Sequence, residues 1–334
     1  MPALKQRLEK AISVGHLPTI QGMLTDLEQF ANDPHATVEQ ISEHISKDPS
    51  VSVRLLRIAN SAYYARAEPV VDVQESVLFL GVAQIRIVAM TTRCVEAMCP
   101  EDQSGFVWTD FWRHCIATAH FCRMLGRSFT YPGFNPELNW MAGLLHDVGK
   151  LVIAMLAPDS FRKVITKATE EGISFQDAEH KYLDTDHGAL GGWYLERQSL
   201  PPVVFEAVRC HHKWDMAVEK KELPAMANVA DFLARQKGFG NSGNMELVMG
   251  PFTETPAWQF LVSNLALRGD PASLQLQLDE ESTKIAELIE NLLPNQKRVV
   301  VKRSAPADPS EPAKGSPPPP SSNPSSNLSV ETTA

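Results

Sequence analysis

The chain lacks a cysteine framework. Its five cysteines, Cys94, Cys99, Cys115, Cys122 and Cys210, are odd in number and no two stand at CxxC spacing. That excludes a disulfide scaffold and a cysteine-built zinc site, and predicts reduced thiols in a cytosolic compartment. Basic charge is also short: 31 Lys and Arg face 40 Asp and Glu, a net charge of −9. With aromatics at 7% and no interleaved basic and aromatic patch, nucleic acid is an unlikely partner. Long apolar runs are missing too. The opening MPALKQRLEK has no signal-peptide core. The best candidate for a membrane span, Val77 to Met98, carries Arg86, Arg93 and Glu96 and reads instead as a buried amphipathic helix. No repeat of 20–50 residues is present. No segment alternates with period two between hairpin turns. The expectation is a soluble, cytoplasmic protein with no membrane partner.

What the 334 residues do contain is helical periodicity, with 43% hydrophobic residues to build a sizeable core. Val38, Ile41 and Ile45 share one helix face. Asp48-Pro49 then stops that helix and starts the next, with Asp48 as N-cap and Pro49 at the first helical position. Val51, Leu55, Ile58 and Ala59 continue it at i, i+4, i+7, i+8. Further helices are expected over Ala83 to Ala97, Phe106 to Leu125, Pro136 to Ala157, Phe161 to Glu170, Ser174 to Tyr182 and His187 to Arg197. Pro201 to Cys210, Ala225 to Arg235 and Ser282 to Leu292 complete the set. The fold class is all-α, a multi-helix domain in two helical lobes.

The lobes are expected at about 10–98 and 104–235, divided at Cys99-Pro100-Glu101-Asp102-Gln103 and packed together, with a helical extension over 236–293. From Ser304 onward there are eight prolines in 31 residues. A segment so poor in large apolar side chains cannot offset an ordering cost of roughly 1–2 kcal/mol per residue. A disordered Pro/Ser-rich tail is therefore expected over 294–334, behind the basic cluster Lys297, Arg298, Lys302 and Arg303.

The sharpest chemical signal is Gly143-Leu144-Leu145-His146-Asp147-Val148-Gly149-Lys150. A histidine beside an aspartate inside an apolar helix is costly unless each side chain finds a partner. Imidazole and carboxylate together suit a divalent transition metal, and an Asp can bridge two ions. Lys150 lies one turn beyond His146 on the same face. Four more helices or helix ends supply donors: His114, His187, the pair His211-His212, and Asp231. Each also has a plainer reading. His114 follows Trp112 on an apolar helix and fits a satisfied core histidine. His187 fits the first turn of a helix capped by Thr185 or Asp186. His211 and His212 suit a helix C-terminus, and Asp231 an exposed helix face. Cys115 projects about 100° from His114 and belongs to the core. Asn60-Ser61, before Tyr63-Tyr64, reads as a helix end and turn.

His114, His146-Asp147 and Asp231 reproduce the H…HD…D pattern of the HD phosphohydrolase superfamily. The added His187 and His211-His212 resemble the extra ligands of its HD-GYP branch. The first half resembles the HDOD branch more specifically. Its elements are Leu17-Pro18, Ile45 with Asp48-Pro49, Leu55-Leu56 with Ala59-Asn60-Ser61, Ser76-Val77, Leu80-Gly81 and Phe111-Trp112-Arg113-His114. Leu200-Pro201 before His211-His212 completes the series, so the resemblance covers about residues 10–235. After His211-His212 the chain reads Lys213-Trp214-Asp215-Met216, where HD-GYP proteins carry Gly-Tyr-Pro.

The HDOD resemblance implies a bacterial signal-transduction module, generally regarded as non-enzymatic, that acts by contacts with signalling protein partners. The retained ligand positions imply one or two divalent ions (Fe, Mn, Zn or Ni) held by His114, His146, Asp147, His187, His211, His212 and Asp231. The alternative is a metal-dependent phosphohydrolase acting on a nucleotide or cyclic dinucleotide. In that case Lys150 would be its catalytic point charge on the phosphoryl oxygens.

Overall fold

The computed structural model describes residues 6–7, 10–11, 17, 37–98, 100, 106–243 and 248–293. Residues Met1–Pro294 form one compact unit. The expected tail over 294–334, its basic cluster and Pro18 lie outside the described residues. The described chain is almost wholly helical, as the all-α expectation requires.

Local sequence chemistry sets the first helices. Helix α1 (Val38–Ser46) opens with a capping box in which Thr37 and Gln40 satisfy each other's backbone N–H. Helix α2 (Pro49–Ala59) starts where expected: Asp48 Oδ1 accepts from the amides of Ser50 and Val51, at 3.1 and 3.2 Å. Asn60 ends α2 and clamps the following loop. Its Nδ2 donates to Val70 O at 2.8 Å while its Oδ1 accepts from Val70 N at 2.7 Å. The Asn60-Ser61 turn is thus confirmed.

Helices α3 (Val73–Leu80) and α4 (Val82–Ala97) meet at Gly81, whose φ of 77° lies in the left-handed region that favours glycine. The two helices bend by 116° there. The stretch from Val77 to Met98 is therefore two helices, not the single one expected. Its apolar face is buried at Val77, Ile85, Val88 and Val95. Among the described residues, no single helix is long and apolar enough to cross a membrane.

Helix α5 (Trp108–Ser128) is the central element and packs against α6 (Pro136–Leu145), α12 (Glu222–Gln236) and α14 (Pro271–Leu292). Between them run α7 (Val148–Leu156), α8 (Pro158–Glu171), α9 (Phe175–Leu183), α10 (His187–Arg197) and α11 (Pro202–Cys210). Helix α13 (Pro256–Asn264) follows α12. Two-residue strands β1 (Phe129–Thr130) and β2 (Ala266–Leu267), not foreseen in the sequence, pair antiparallel and tie the end of α5 to the chain before α14. One apolar core runs from Ile41 and Leu55 through Phe111 and Trp140 to Leu278 and Leu288. Cys115 lies within it, fully buried.

The expected helix from Pro136 to Ala157 is broken. Helix α6 ends at Leu145, His146 and Asp147 form the junction, and α7 begins at Val148. Helix α14 also begins eleven residues before the expected Ser282, because Asp270 caps it by accepting from Ser273 N and Pro271 takes the first position.

Candidate metal centre

The break between α6 and α7 places the two chemical side chains. Asp147 sits at φ −99°, ψ 9°, outside helical geometry, so the helix breaks at His146-Asp147, and the two side chains meet with His146 Nε2 3.3 Å from Asp147 Oδ2. Two glycines let other helices approach it. A Cβ on Gly143 would lie 2.5 Å from Ala119 Cα of α5, and one on Gly149 would lie 2.0 Å from His187 O at the start of α10. Asp186 caps α10 by accepting from Ala189 N at 2.7 Å, setting His187 at its first position. Helix α11 ends at Cys210, so His211 and His212 leave its C-terminus as expected. Helix α12 contributes Asp231.

All seven expected donors meet in two adjoining groups. His114, His146 and Asp231 form one; Asp147, His187, His211 and His212 form the other. Within each, one ligand atom per residue lies within 4.8 Å of all the others. In the first group His114 Nε2 is 2.9 Å from Asp231 Oδ1 and 3.3 Å from His146 Nε2. In the second, His187 Nε2 is 3.0 Å from Asp147 Oδ1 and 2.8 Å from His212 Nε2. Asp147 spans both, with Oδ2 3.3 Å from His146 Nε2. Every donor except the half-buried His212 is buried.

The outer ring of hydrogen bonds aims the imidazoles inward. His146 Nδ1 donates to Gly143 O at 2.7 Å, and His211 Nδ1 donates to Val208 O at 2.7 Å. His187 Nδ1 faces Glu179 Oε2 at 2.5 Å. With Nδ1 carrying the proton, a neutral ring turns its Nε2 lone pair toward the cluster, the arrangement of metal-ligating histidines. The Nε2 atoms of His187 and His212, 2.8 Å apart, repel unless a proton or a cation lies between them. Buried polar atoms in proteins are nearly always paired. Yet His211 Nε2, Asp147 Oδ1 and Asp231 Oδ1 all lack an aligned hydrogen-bond partner. These orphaned atoms face the groups' interiors, and their N/O donor set fits a divalent transition ion.

Glu179 and Arg235 complete the centre and were not foreseen. Glu179 is fully buried and holds His187 through both its ring and its backbone N–H, the latter at 3.1 Å. Its one sequence signal is a carboxylate beside Ala178 on the face of α9 that also carries Phe175. Arg235, one turn after Asp231, pairs with Asp231 Oδ2 at 3.0 Å. Lys150 is fully buried. Its Nζ donates to Asp147 Oδ2 at 2.9 Å and to Ser242 Oγ at 3.4 Å, and sits 4.9 Å over the Phe175 ring.

These charges set the titration of the centre. Burial alone would raise Asp147, but His146, Lys150 and His187 hold it well below the usual carboxylate range. Asp231, equally buried, is held low by Arg235 and His114. Burial pulls His187 down, yet Glu179 and Asp147 outweigh it and push the ring up to about 9. Burial, reinforced by His146 and His187, drops His211 to about 3.

The HDOD domain family profile matches residues 17–214, and the chain belongs to that family. An uncharacterized protein of Treponema pallidum is 21% identical over 217 residues, which are 65% of this chain. The chain spans 41% of that relative's length. An HDOD domain protein of unknown function from Geobacter sulfurreducens superposes with a TM-score of 0.70 at 22% identity, over 86% of this chain and 97% of its own. A protein of Shewanella amazonensis, provisionally named a phosphohydrolase, superposes with a TM-score of 0.65 at 25% identity, over 87% and 98% of the two chains.

Proposed function

We propose that this chain is a bacterial signal-transduction module that acts by contacts with partner proteins and holds one or two divalent ions in its helical core. The observation that carries the metal is the set of orphaned buried atoms, His211 Nε2, Asp147 Oδ1 and Asp231 Oδ1, facing the interiors of two ready-made donor groups. His114, His146 and Asp231 would hold one ion, and His187, His211 and His212 the other, with Asp147 between them. Burial of the donors supports a structural or sensing role over turnover. So does Lys150, whose ammonium is committed to Asp147 and Ser242 instead of standing free for a substrate.

A phosphohydrolase reading draws on one observation. Asp147 lies 3.3 Å from His146 and 3.0 Å from His187, within reach of both donor groups. A divalent ion held there would supply Lewis acidity toward a phosphoryl oxygen.

Elemental analysis tests both. The purified chain should carry one to two equivalents of transition metal, Asp231→Asn should lose the first group's share, and Asp147→Ala should lose all of it. Metal absent even after loading with iron, manganese or zinc would refute the metal centre. Steady hydrolysis of bis(p-nitrophenyl) phosphate by the loaded protein, abolished in Asp147→Ala, would replace the regulatory reading with the enzymatic one.

A further inference from the structure

On the C-terminal half of α5 lies a second concentration of unsatisfied polar groups, separate from the donors described above. Arg123 is 6% exposed and His120 2%. Arg123 Nη1 donates to Gln84 Oε1 at 3.0 Å, but its buried Nε has no partner. His120 Nδ1 has none either, and Nε2 sits 3.3 Å from Glu281 Oε2 without hydrogen-bond alignment. A buried guanidinium N–H and a buried imidazole are costly to leave unpaired.

Both side chains line a cavity of about 390 Å³ between α5, the loop after α2 and α14. Arg127 and Arg268 complete its wall. Arg127 is exposed. Arg268 is exposed as well, with its Nε donating to Thr130 Oγ1 at 3.0 Å. Two acids, Glu280 and Glu281, share the rim. Glu281 is already engaged, accepting from Tyr63 OH and Lys284 Nζ, each at 3.2 Å. Three guanidinium groups therefore converge on one cavity with a single uncommitted carboxylate to balance them.

We propose that this cavity binds a phosphate-bearing small molecule. Guanidinium forks match phosphate oxygens in both geometry and charge, and a partner with several acceptor oxygens would pair with the exposed Arg127 and Arg268 while its charge offsets that of the buried Arg123 behind them. The volume exceeds what inorganic phosphate fills and falls within the range of small-ligand pockets, so an organic phosphate the size of a nucleoside monophosphate fits it. The inference stands on groups that the metal centre does not use.

Isothermal titration of the full chain with inorganic phosphate, adenosine monophosphate and citrate tests it. Phosphate and adenosine monophosphate should bind, the nucleotide more tightly, and citrate more weakly than either. Arg127→Gln and Arg268→Gln, both surface changes that leave the core intact, should each weaken binding about tenfold. Binding should survive removal of metal by chelation. No binding of phosphate or nucleotide, unchanged affinity in both variants, or stronger binding of citrate would overturn the assignment. Binding that vanishes on chelation would place the anion at the metal centre and overturn it equally, while leaving the metal reading intact.

Discussion

Gly149→Ala probes one of the two tightest backbone approaches at a described glycine. A Cβ at that position would stand 2.0 Å from the His187 carbonyl oxygen, 2.7 Å from its carbonyl carbon and 2.8 Å from its Cα. All three are backbone atoms, so no side-chain rotation relieves the clash, and α7 and α10 must part by about 1 Å. His187 cannot easily retreat, because Glu179 holds its backbone N–H at 3.1 Å and its ring at 2.5 Å. Overpacking costs about 1–3 kcal/mol. Loosening the charged hydrogen bond to Glu179 adds about 1.5–3 kcal/mol. Against these, alanine gains about 1 kcal/mol over glycine in a helix. The expected net loss is about 1.5–5 kcal/mol. At roughly 2–4 °C per kcal/mol for a domain of this size, that is a fall in Tm of about 3–20 °C. Differential scanning calorimetry and elemental analysis on one preparation read both consequences: a lower Tm, and loss of the ion share that depends on His187. A Tm within about 2 °C of the parent would refute the account. It would mean that the α7–α10 contact yields freely and does not position His187.

Two other outcomes follow from charge and from a hydrogen-bonded loop. With metal stripped, His187 at about 9 lies above its ordinary 6.5, so its contribution to stability is complete below pH 6.5 and is lost as pH rises through 9. Thermal melts of the chelated protein should decline over that window. Glu179→Gln should flatten the decline, and an unchanged decline in that variant would show that His187 is not its source. Asn60→Ala removes both clamps on Val70 and should cost about 1 kcal/mol in urea unfolding, with no change in metal content.

Much of the centre was legible because its donors are residue types that an apolar helix tolerates poorly. His114, His146, Asp147 and Asp231 stood out against their neighbours, and all seven candidates converge in space. Capping chemistry was equally readable, since Asp48-Pro49 and Asp186 act through their own adjacent amides. The break in the helix after Leu145 was not readable. The run from Pro136 to Ala157 keeps helical spacing throughout, and its interruption comes from tertiary contacts with α5 and α10 that local pattern does not encode. Glu179 was missed for the same reason, as its role depends on a histidine eight residues away that only the fold brings back to it. Helix α13 and the first half of α14 fall inside the helical extension expected over 236–293 but were not placed individually, and the two-residue β1–β2 pair was not foreseen, because brief stretches draw their order from packing more than from periodicity.

The junction at His146-Asp147 also constrains how this stretch can change length over time. One residue inserted between Gly143 and Lys150 would turn everything after it by about 100° about a helix axis. Gly143 would keep its seat on α5 while Gly149 lost its seat on α10, and the two donor groups would fall out of phase. Substitutions that preserve size and charge can drift here, but insertions and deletions cannot. The eight residues from Gly143 to Lys150 behave as a fixed-length ruler between the two halves of the centre.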